Sequence, residues 1–578
     1  MTRLFSSFLA PNNPIGFGIA DVFELILLVL LIAALQLRPW LVRTIKSIAQ
    51  RTTLCFLIVA ALPIAFRLAL FPHHPIPSPA IYDEFGHLLV ADTIRHFRLA
   101  NPAHPLHQFF ETFFVLQEPT YSSIYPLGQG LVLGLGSMLF GLPWAGVLLS
   151  VGILCALCYW MLLGWTTRAW ALVGALLAAI EFGPLNEWMN SYSEGAVSAI
   201  AGCLAFGALP RLREHARIRD AFLLGAGLGA QLLTRPYESI LLVLSVAAFF
   251  LLLVFREQSA WRRLVRVAPA IVAAALPAVG LTLLQNRQVT GSWITLPYFV
   301  SQYQYGVPTS LTIQANPVPH VQLTREQQLD YKAQRSFHGE GPDTLNRFLS
   351  RLEYRIRFYR FFLLAPLYLA MGIFLISIRN WRLWWIVIAL TAFALGSNLF
   401  PYFYPRYMAA VTCLFVLATV TGLQKLATSK IHARPAGHYA AAVILFMCVA
   451  NFSLWYGAHL FEGYDFPYEI LAYETWDAIN HAHVAPRDFV NRELARHQGK
   501  QLVFVRYTPS HIFHNEWVYN AASIDAAPIV LARDIGPVEN KKLKAYYPDR
   551  TVWLLEPDAA IPKLTPYREE PPQMLKIR

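Results

Sequence analysis

LLSVGILCALCYWMLLGW, residues 148–165, runs for eighteen positions without a charge, and the rest of the chain is read outward from it. A stretch of that length and character is what a helix needs to cross the roughly 30 Å hydrocarbon layer of a bilayer. The whole chain has the same bias. Its 578 residues are 56% hydrophobic and only 14% charged, against roughly 25% charged in an ordinary soluble domain. A soluble core has no room for that much apolar surface, whereas lipid solvates it. Cys155 and Cys158 within this stretch have redox or metal spacing, but no second pair and no polar neighbour accompanies them, so they read as small hydrophobes. All six cysteines lie in apolar stretches, so no disulfide framework is expected in the polar segments. The N-terminus lacks a basic segment followed by a short apolar core and a cleavage site, so no cleavable signal is expected.

Apolar runs long enough to span recur at about 17–37, 53–72, 143–164, 170–185, 194–209, 220–234, 238–255, 267–285, 359–377, 383–400, 407–424 and 437–457. The expected fold is therefore mainly α, a polytopic transmembrane bundle of about 12 spans. The net charge of +12 fits the excess of Lys and Arg on the cytoplasmic side of membrane proteins better than it fits nucleic acid. Arg38, Arg43, Lys46 and Arg51 mark one such loop. Arg211, Arg213, Arg217 and Arg219 mark a second, and Arg256, Arg262, Arg263 and Arg266 a third. Arg379 with Arg382, then Lys425, Lys430 and Arg434, complete the set. With these loops inside, the alternation closes only if PLGQGLVLGLGSMLFG (126–141) lies in the outer interface or dips in and returns. Segments 73–142, 286–358 and 458–578 then fall outside, as does the N-terminus.

The expected divisions are an N-terminal helix and cytoplasmic loop (1–52), a membrane domain (53–457) and an outer domain (458–578). Within the last, QLVFVRY (501–507), PIVLARD (528–534) and TVWLLEP (551–557) read as short buried strands. PRDFVNRELARH (486–497) and 536–546 read as helices between them, which predicts a small α/β domain with a partly parallel sheet. Gly128, Gly130, Gly134 and Gly136, and likewise Gly225, Gly227 and Gly229, imitate dinucleotide fingerprints. Neither set follows a strand, so both predict close helix packing instead.

Candidate chemistry is densest in the first outer loop, in IYDEFGHLLVADTIRHF (81–97) and ETFFVLQEPTYSSIYPLG (111–128). A helix over 80–98 sets Asp83 and His87 on one face at i, i+4, with Phe85, Leu88 and Leu89 as an apolar flank. An interfacial helix of that kind holds carboxylates at headgroup depth. The bland account is that Asp83 and Glu84 only cap and solvate the helix. Asp83, Glu84, His87 and Glu118 are also chemically able to ligate a divalent metal, although no tight spacing demands one. Two more clusters fall at outer ends of spans. LTRPYES brings Arg235, Tyr237 and Glu238, and FPYFYPRYM brings Tyr402, Tyr404, Arg406 and Tyr407. Arginine there is costly unless paired or facing an anion, and its planar fork fits phosphate oxygens. The alternatives are snorkelling to the interface, or pairing with Glu238.

Together these features resemble the GT-C class of bacterial glycosyltransferases, relatives of protein O-mannosyltransferases and of the transferases that add aminoarabinose to lipid A. The carriers of the resemblance are the early Asp83-Glu84 pair, Glu118-Pro119 ahead of Tyr125-Pro126-Leu127-Gly128, the non-spanning helix after it, and the Arg235-Pro236-Tyr237-Glu238 and Pro405-Arg406-Tyr407 corners. It covers roughly 50–460. The extra first helix, the Tyr-Pro-Leu in place of paired prolines, and the C-terminal domain depart from the family. The resemblance implies transfer of a sugar from a polyprenyl phosphate to an acceptor hydroxyl (glycan, lipid or protein) outside a bacterial cytoplasmic membrane, with no nucleic acid involved. It assigns the base to Asp83, with Glu84 its rival and Glu118 orienting the acceptor or joining a metal. His87, Tyr125, Arg235, Tyr237, Glu238, Tyr404, Arg406 and Tyr407 are then substrate-binding, while Tyr298, Tyr303 and Tyr305 read as ordinary interfacial aromatics, with sugar stacking the alternative. It implies no fixed cofactor, and a divalent metal near Asp83 and Glu118 is left open. A transporter or flippase, expected to show charges within spans and two related halves, and a polysaccharide polymerase or ligase are the competing classes.

Overall fold

The computed structural model describes residues 39–341, 343–430, 436–461 and 485–568, with Ile26 and Val29. The expected span 17–37 lies outside the described residues but for those two positions.

Helices dominate, and each of the other eleven expected spans is occupied by one. Among the described residues, seven helices are long and apolar enough to cross a membrane: Thr52–Ala69, Pro143–Leu163, Gly195–Glu214, Pro236–Arg256, Ser259–Thr290, Pro405–Ala427 (its first turns 3₁₀) and Ala436–Gly457. Shorter helices fill the remaining expected positions at Arg168–Glu181, Ile218–Thr234, Leu367–Ile376 and Trp381–Ser397. The run expected over 359–377 is broken. A 3₁₀ segment, Arg357–Phe362, precedes a non-helical stretch, and the α-helix starts only at Leu367. Pro366 at the helix N-cap lacks an amide hydrogen and disfavours helix in the residue before it.

The chain divides into two compact units. One takes the residues up to Pro77, Trp144–Thr282 and Asp343–His481, and holds nearly all the long apolar helices. Its tightest approaches use glycine. A Cβ at Gly202 would lie 1.7 Å from the carbonyl oxygen of Ala410, and one at Gly225 would lie 2.1 Å from that of Ile271. Among the glycines that imitate a nucleotide fingerprint, Gly225, Gly227 and Gly229 are points of close helix contact. All six cysteines are buried and unbridged.

The other unit is built from Ser78–Pro143, Leu283–Pro342 and Ala482–Arg578. Its helices are α1 (Tyr82–Arg95), α2 (Leu127–Phe140), α3 (Pro297–Tyr305), α4 (Arg325–His338), α5 (Ala485–Arg496) and α6 (Pro537–Tyr546). Its strands are β1 (Asn101–Pro102), β2 (Val115–Leu116), β3 (Thr120–Ser123), β4 (Lys500–Val505), β5 (Ile529–Arg533), β6 (Arg550–Glu556) and β7 (Lys563–Pro566). The C-terminal sheet has order β5-β4-β6-β7, with β4 parallel to both neighbours and β7 antiparallel on the β6 edge. The partly parallel α/β arrangement is the one the sequence predicts, with β7 added.

That sheet does not close a core alone. Leu502, Phe504, Val530 and Ala532 pack with Phe109, Phe110 and Val115 of the first loop, while Val503, Val505 and Leu555 pack with Val490 and Leu494 of α5. Phe109 and Phe110 are fully buried, which at roughly 1.5–3 kcal/mol per side chain ties the first loop firmly to the sheet. Helix α2 begins after Pro126 and ends at Gly141 in the left-handed region (φ 73°). Its 14 residues rise about 21 Å, the same length as Arg168–Glu181. It lies along α1, where a Cβ at Gly130 would sit 2.2 Å from Val90 Cγ1.

Candidate active site

The first cluster grows from the first turn of α1. Ile81 is extended, and the Glu84 carboxylate folds back to accept the backbone amides of Ala80 (2.7 Å) and Ile81 (3.1 Å). Glu84 thus caps its own helix. Its neighbour, one residue and about 100° away, faces a different group: the Tyr125 hydroxyl donates a hydrogen bond to Asp83 Oδ1. The capping expected of the pair falls to Glu84, and Asp83 is directed elsewhere.

Tyr125 is fixed from several sides. Its carbonyl accepts from Gln285 Nε2 (2.9 Å), its amide donates to Ser123 Oγ (3.2 Å), and its ring lies against His87 at 4.4 Å between centroids. The i, i+4 spacing of Asp83 and His87 therefore brings both side chains to one tyrosine. Only glycine at position 86 admits that ring, because a Cβ there would be 2.6 Å from Tyr125 Cδ2. Asp83, Glu84 and His87 are all buried, and α1 is enclosed by protein on both its acidic and apolar faces.

Asp330 on α4 belongs to the same electrostatic neighbourhood, although the sequence reading did not single it out. Burial pushes its carboxyl up to about 7, the Gln334 amide at 2.8 Å offsets part of that, and the charge of Asp83 adds to it. The visible signal was the Thr324–Gln327 capping box that starts α4, which locates the helix but does not mark Asp330. Glu118 is mostly exposed. Its carboxylate is 3.7 Å from His107 Nε2 and its carbonyl accepts from Gln304 Nε2 (2.9 Å). Among the described residues no three His, Cys, Asp or Glu side chains are arranged to hold a metal ion. Of the three loop tyrosines, Tyr305 is buried, Tyr298 donates to the Thr309 carbonyl (3.2 Å), and exposed Tyr303 stacks on His320 at 4.0 Å.

The second cluster lies at helix ends in the other unit. Arg235 separates Ile218–Thr234 from Pro236–Arg256 and pairs with Glu238 (2.7 Å) and Glu194, with its guanidinium 4.3 Å over the Tyr407 ring. Arg406, buried at 4% exposure, lies 3.7 Å from Glu194 and 3.8 Å from Glu187, over the Tyr404 ring at 4.4 Å. The two arginines therefore share Glu194, which begins a predicted span and was read as part of it. A carboxylate at the same end of a span as Arg235 was the available signal. Arg235 pairs closely with two carboxylates, and Arg406 lies within 4 Å of two. Tyr237 donates to the Gly396 carbonyl (2.8 Å). The corner carrying Arg406 is held by Arg355, whose guanidinium donates to the carbonyls of Ser397, Phe400, Pro401 and Tyr402.

No family model matches the sequence, and no curated protein matches it. Similar solved structures include ArnT from Cupriavidus metallidurans bound to undecaprenyl phosphate, at 12% identity over 86% of this chain and 92% of that one, with a TM-score of 0.48. The apo oligosaccharyltransferase of Archaeoglobus fulgidus is 12% identical over 87% of this chain and 69% of that one, with a TM-score of 0.39. Arabinosyltransferase EmbB from Mycobacterium smegmatis is 11% identical over 73% and 40%, with a TM-score of 0.35.

Proposed function

We propose that this multi-pass membrane protein transfers a sugar from a polyprenyl phosphate to an acceptor hydroxyl on the outer face of a bacterial cytoplasmic membrane. The observation that carries the reading is the division of labour in α1. Glu84 is committed to the backbone, whereas Asp83 is aimed by a tyrosine, a histidine contact and a glycine that makes room for them. A hydroxyl is a weak nucleophile until a positioned carboxylate takes its proton. In the proposed step the acceptor oxygen bonds to the anomeric carbon while its proton passes to Asp83. The bond from that carbon to the phosphate oxygen breaks, and its electron pair leaves on polyprenyl phosphate. A single displacement of this kind inverts the anomeric centre.

A guanidinium fork is the kind of donor that meets the charge gained by the departing phosphate, and Arg235 and Arg406 are the candidates. One preorganised donor of this type is worth about 3–4 kcal/mol in a transition state. Tyr404, Tyr407, Tyr237 and Glu238 frame the arginines, and Glu118 is left to the acceptor. The test is purified protein in liposomes containing lipid extract from the source membrane, scored for liberated polyprenyl phosphate. Time-dependent release by wild-type protein is expected. No release from any lipid-linked sugar in the extract would overturn the reading.

A further inference from the structure

The loop between β4 and β5 is long, 23 residues from Arg506 to Pro528, and loops of that length in a compact domain usually have work to do. Its shape is set by the sheet behind it. Glu516 accepts from the amides of Trp517 and Val518 (2.9 Å each) and from Arg533 of β5 (2.7 Å). Asn520 exchanges side-chain hydrogen bonds with the backbone of Leu531, at 2.8 and 2.9 Å.

The loop so fixed grips α1 along its length. At the start of the helix, the Phe85 ring stacks on Tyr519 with centroids 4.2 Å apart and planes 2° from parallel. Arg487 of α5 lies 4.7 Å from the Phe85 ring and from the Trp517 ring alike, and donates to the carbonyls of Glu516 and Trp517. Towards the end of the helix, Asp92 accepts the Ala522 amide (2.8 Å), and just beyond it Arg98 donates to Ser523 Oγ (2.7 Å). Tyr121, four residues before the tyrosine that meets Asp83, donates to the Asn520 carbonyl (3.0 Å). The aromatic rings have only two side-chain torsions each, and Arg487 is held by its two carbonyl acceptors, so the stack is a rigid stop against rotation of α1.

We propose that the C-terminal α/β domain is a positioning element for the acid-bearing helix: its β4–β5 loop, through the Arg487–Phe85–Tyr519 stack, sets the rotation of α1 that aims Asp83. The inference rests on the functional reading above for its consequence in turnover, but not for its structural content. The experiment uses full-length protein carrying Tyr519→Leu, Tyr519→Phe or Arg487→Met. It measures amide exchange of residues 82–89 by mass spectrometry beside polyprenyl phosphate release from the same lipid extract. Tyr519→Leu should speed exchange at least tenfold in the first turns of α1. It should lower kcat about tenfold or more, with KM changed less than twofold. Tyr519→Phe, which keeps the stack, should restore both, and Arg487→Met should fall between, which covers the case in which the leucine variant does not fold. Wild-type exchange in both Tyr519→Leu and Arg487→Met overturns the proposal, as does a loss that Tyr519→Phe fails to restore. If exchange responds as stated while Asp83→Asn turns over normally, the functional reading falls and the positioning stands.

Discussion

Gly86→Ala is the smallest change that separates the aiming of Asp83 from the helix that carries it. The added methyl would lie 2.6 Å from Tyr125 Cδ2, 2.7 Å from Cε2 and 3.2 Å from Ser123 Oγ. Carbon atoms settle at about 3.5–4.0 Å, so the ring must retreat by roughly 1 Å, and its hydroxyl with it. Ring movement is opposed on one side by His87, so the displacement is taken out of the bond to Asp83. Three effects set the sign. Alanine in place of glycine favours the helix by about 0.8–1 kcal/mol. Overpacking opposes it by about 1–3 kcal/mol. A hydrogen bond to a charged group contributes about 1.5–3 kcal/mol. The net expectation is a destabilisation of roughly 1.5–5 kcal/mol, with kcat lowered about 10²-fold, the usual effect of misplacing a reacting group by 1 Å. Tyr125→Phe supplies the control, because it removes the hydroxyl without a clash and should lower kcat with less effect on stability. Thermal unfolding in detergent beside polyprenyl phosphate release reads both quantities. An alanine variant that melts higher than wild type at full turnover would mean that helix propensity alone operates at this position, and the aiming argument would be wrong.

Glu84→Gln weakens a cap and should cost about 0.5–2 kcal/mol, while slowing turnover far less than any change at Asp83; a loss equal to that of Asp83→Asn would exchange the two roles. Asp330 gives a pH signature. With its folded-state value near 7 against the usual 3.8, the folded chain holds a proton that the unfolded chain has lost. Stability therefore falls as pH rises from about 4 to about 7, by about 4 kcal/mol in all. Asp330→Asn should remove that slope and melt higher than wild type at pH 8, and identical melting curves across pH 5–8 would refute the burial argument. Arg406→Lys keeps charge but loses the fork, and should reduce turnover about 10²-fold with modest loss of stability. Arg235→Lys, which loses the fork and disturbs two close carboxylates, should lower both turnover and melting temperature in a thermal-shift and rate comparison.

Apolar periodicity made the helices legible, because a bilayer imposes length and composition together. The C-terminal strands were legible because QLVFVRY, PIVLARD and TVWLLEP are short apolar runs bounded by polar residues, as buried parallel strands are. Lys563–Pro566 was not, since an edge strand ending in proline and pairing on one side lacks that pattern. Pro366 was visible in the run 359–377, but an apolar count does not register a missing amide donor. Asp83 was found through a motif, yet its separation from Glu84 depends on the extended Ile81 that lets Glu84 turn back. Glu194 was hidden by sitting at the head of an apolar run, and Asp330 by lying in a polar helix where one more carboxylate attracts no notice. Both acquire meaning only from partners far away in sequence: Arg235 and Arg406 for the first, Asp83 for the second. Gly86 looks like a weak point in a helix until the ring it admits is in place.

The central claim is that Asp83 takes the acceptor proton, and Asp83→Asn tests it most directly, since the amide keeps the shape of the side chain and removes its basicity. In liposome-reconstituted protein, release of polyprenyl phosphate from a lipid-linked sugar should fall about 10²–10⁴-fold, the usual worth of a general base. Binding of the carrier and the melting temperature should stay close to wild type. Turnover within a few-fold of wild type in Asp83→Asn would contradict the account and remove this carboxylate from the chemistry.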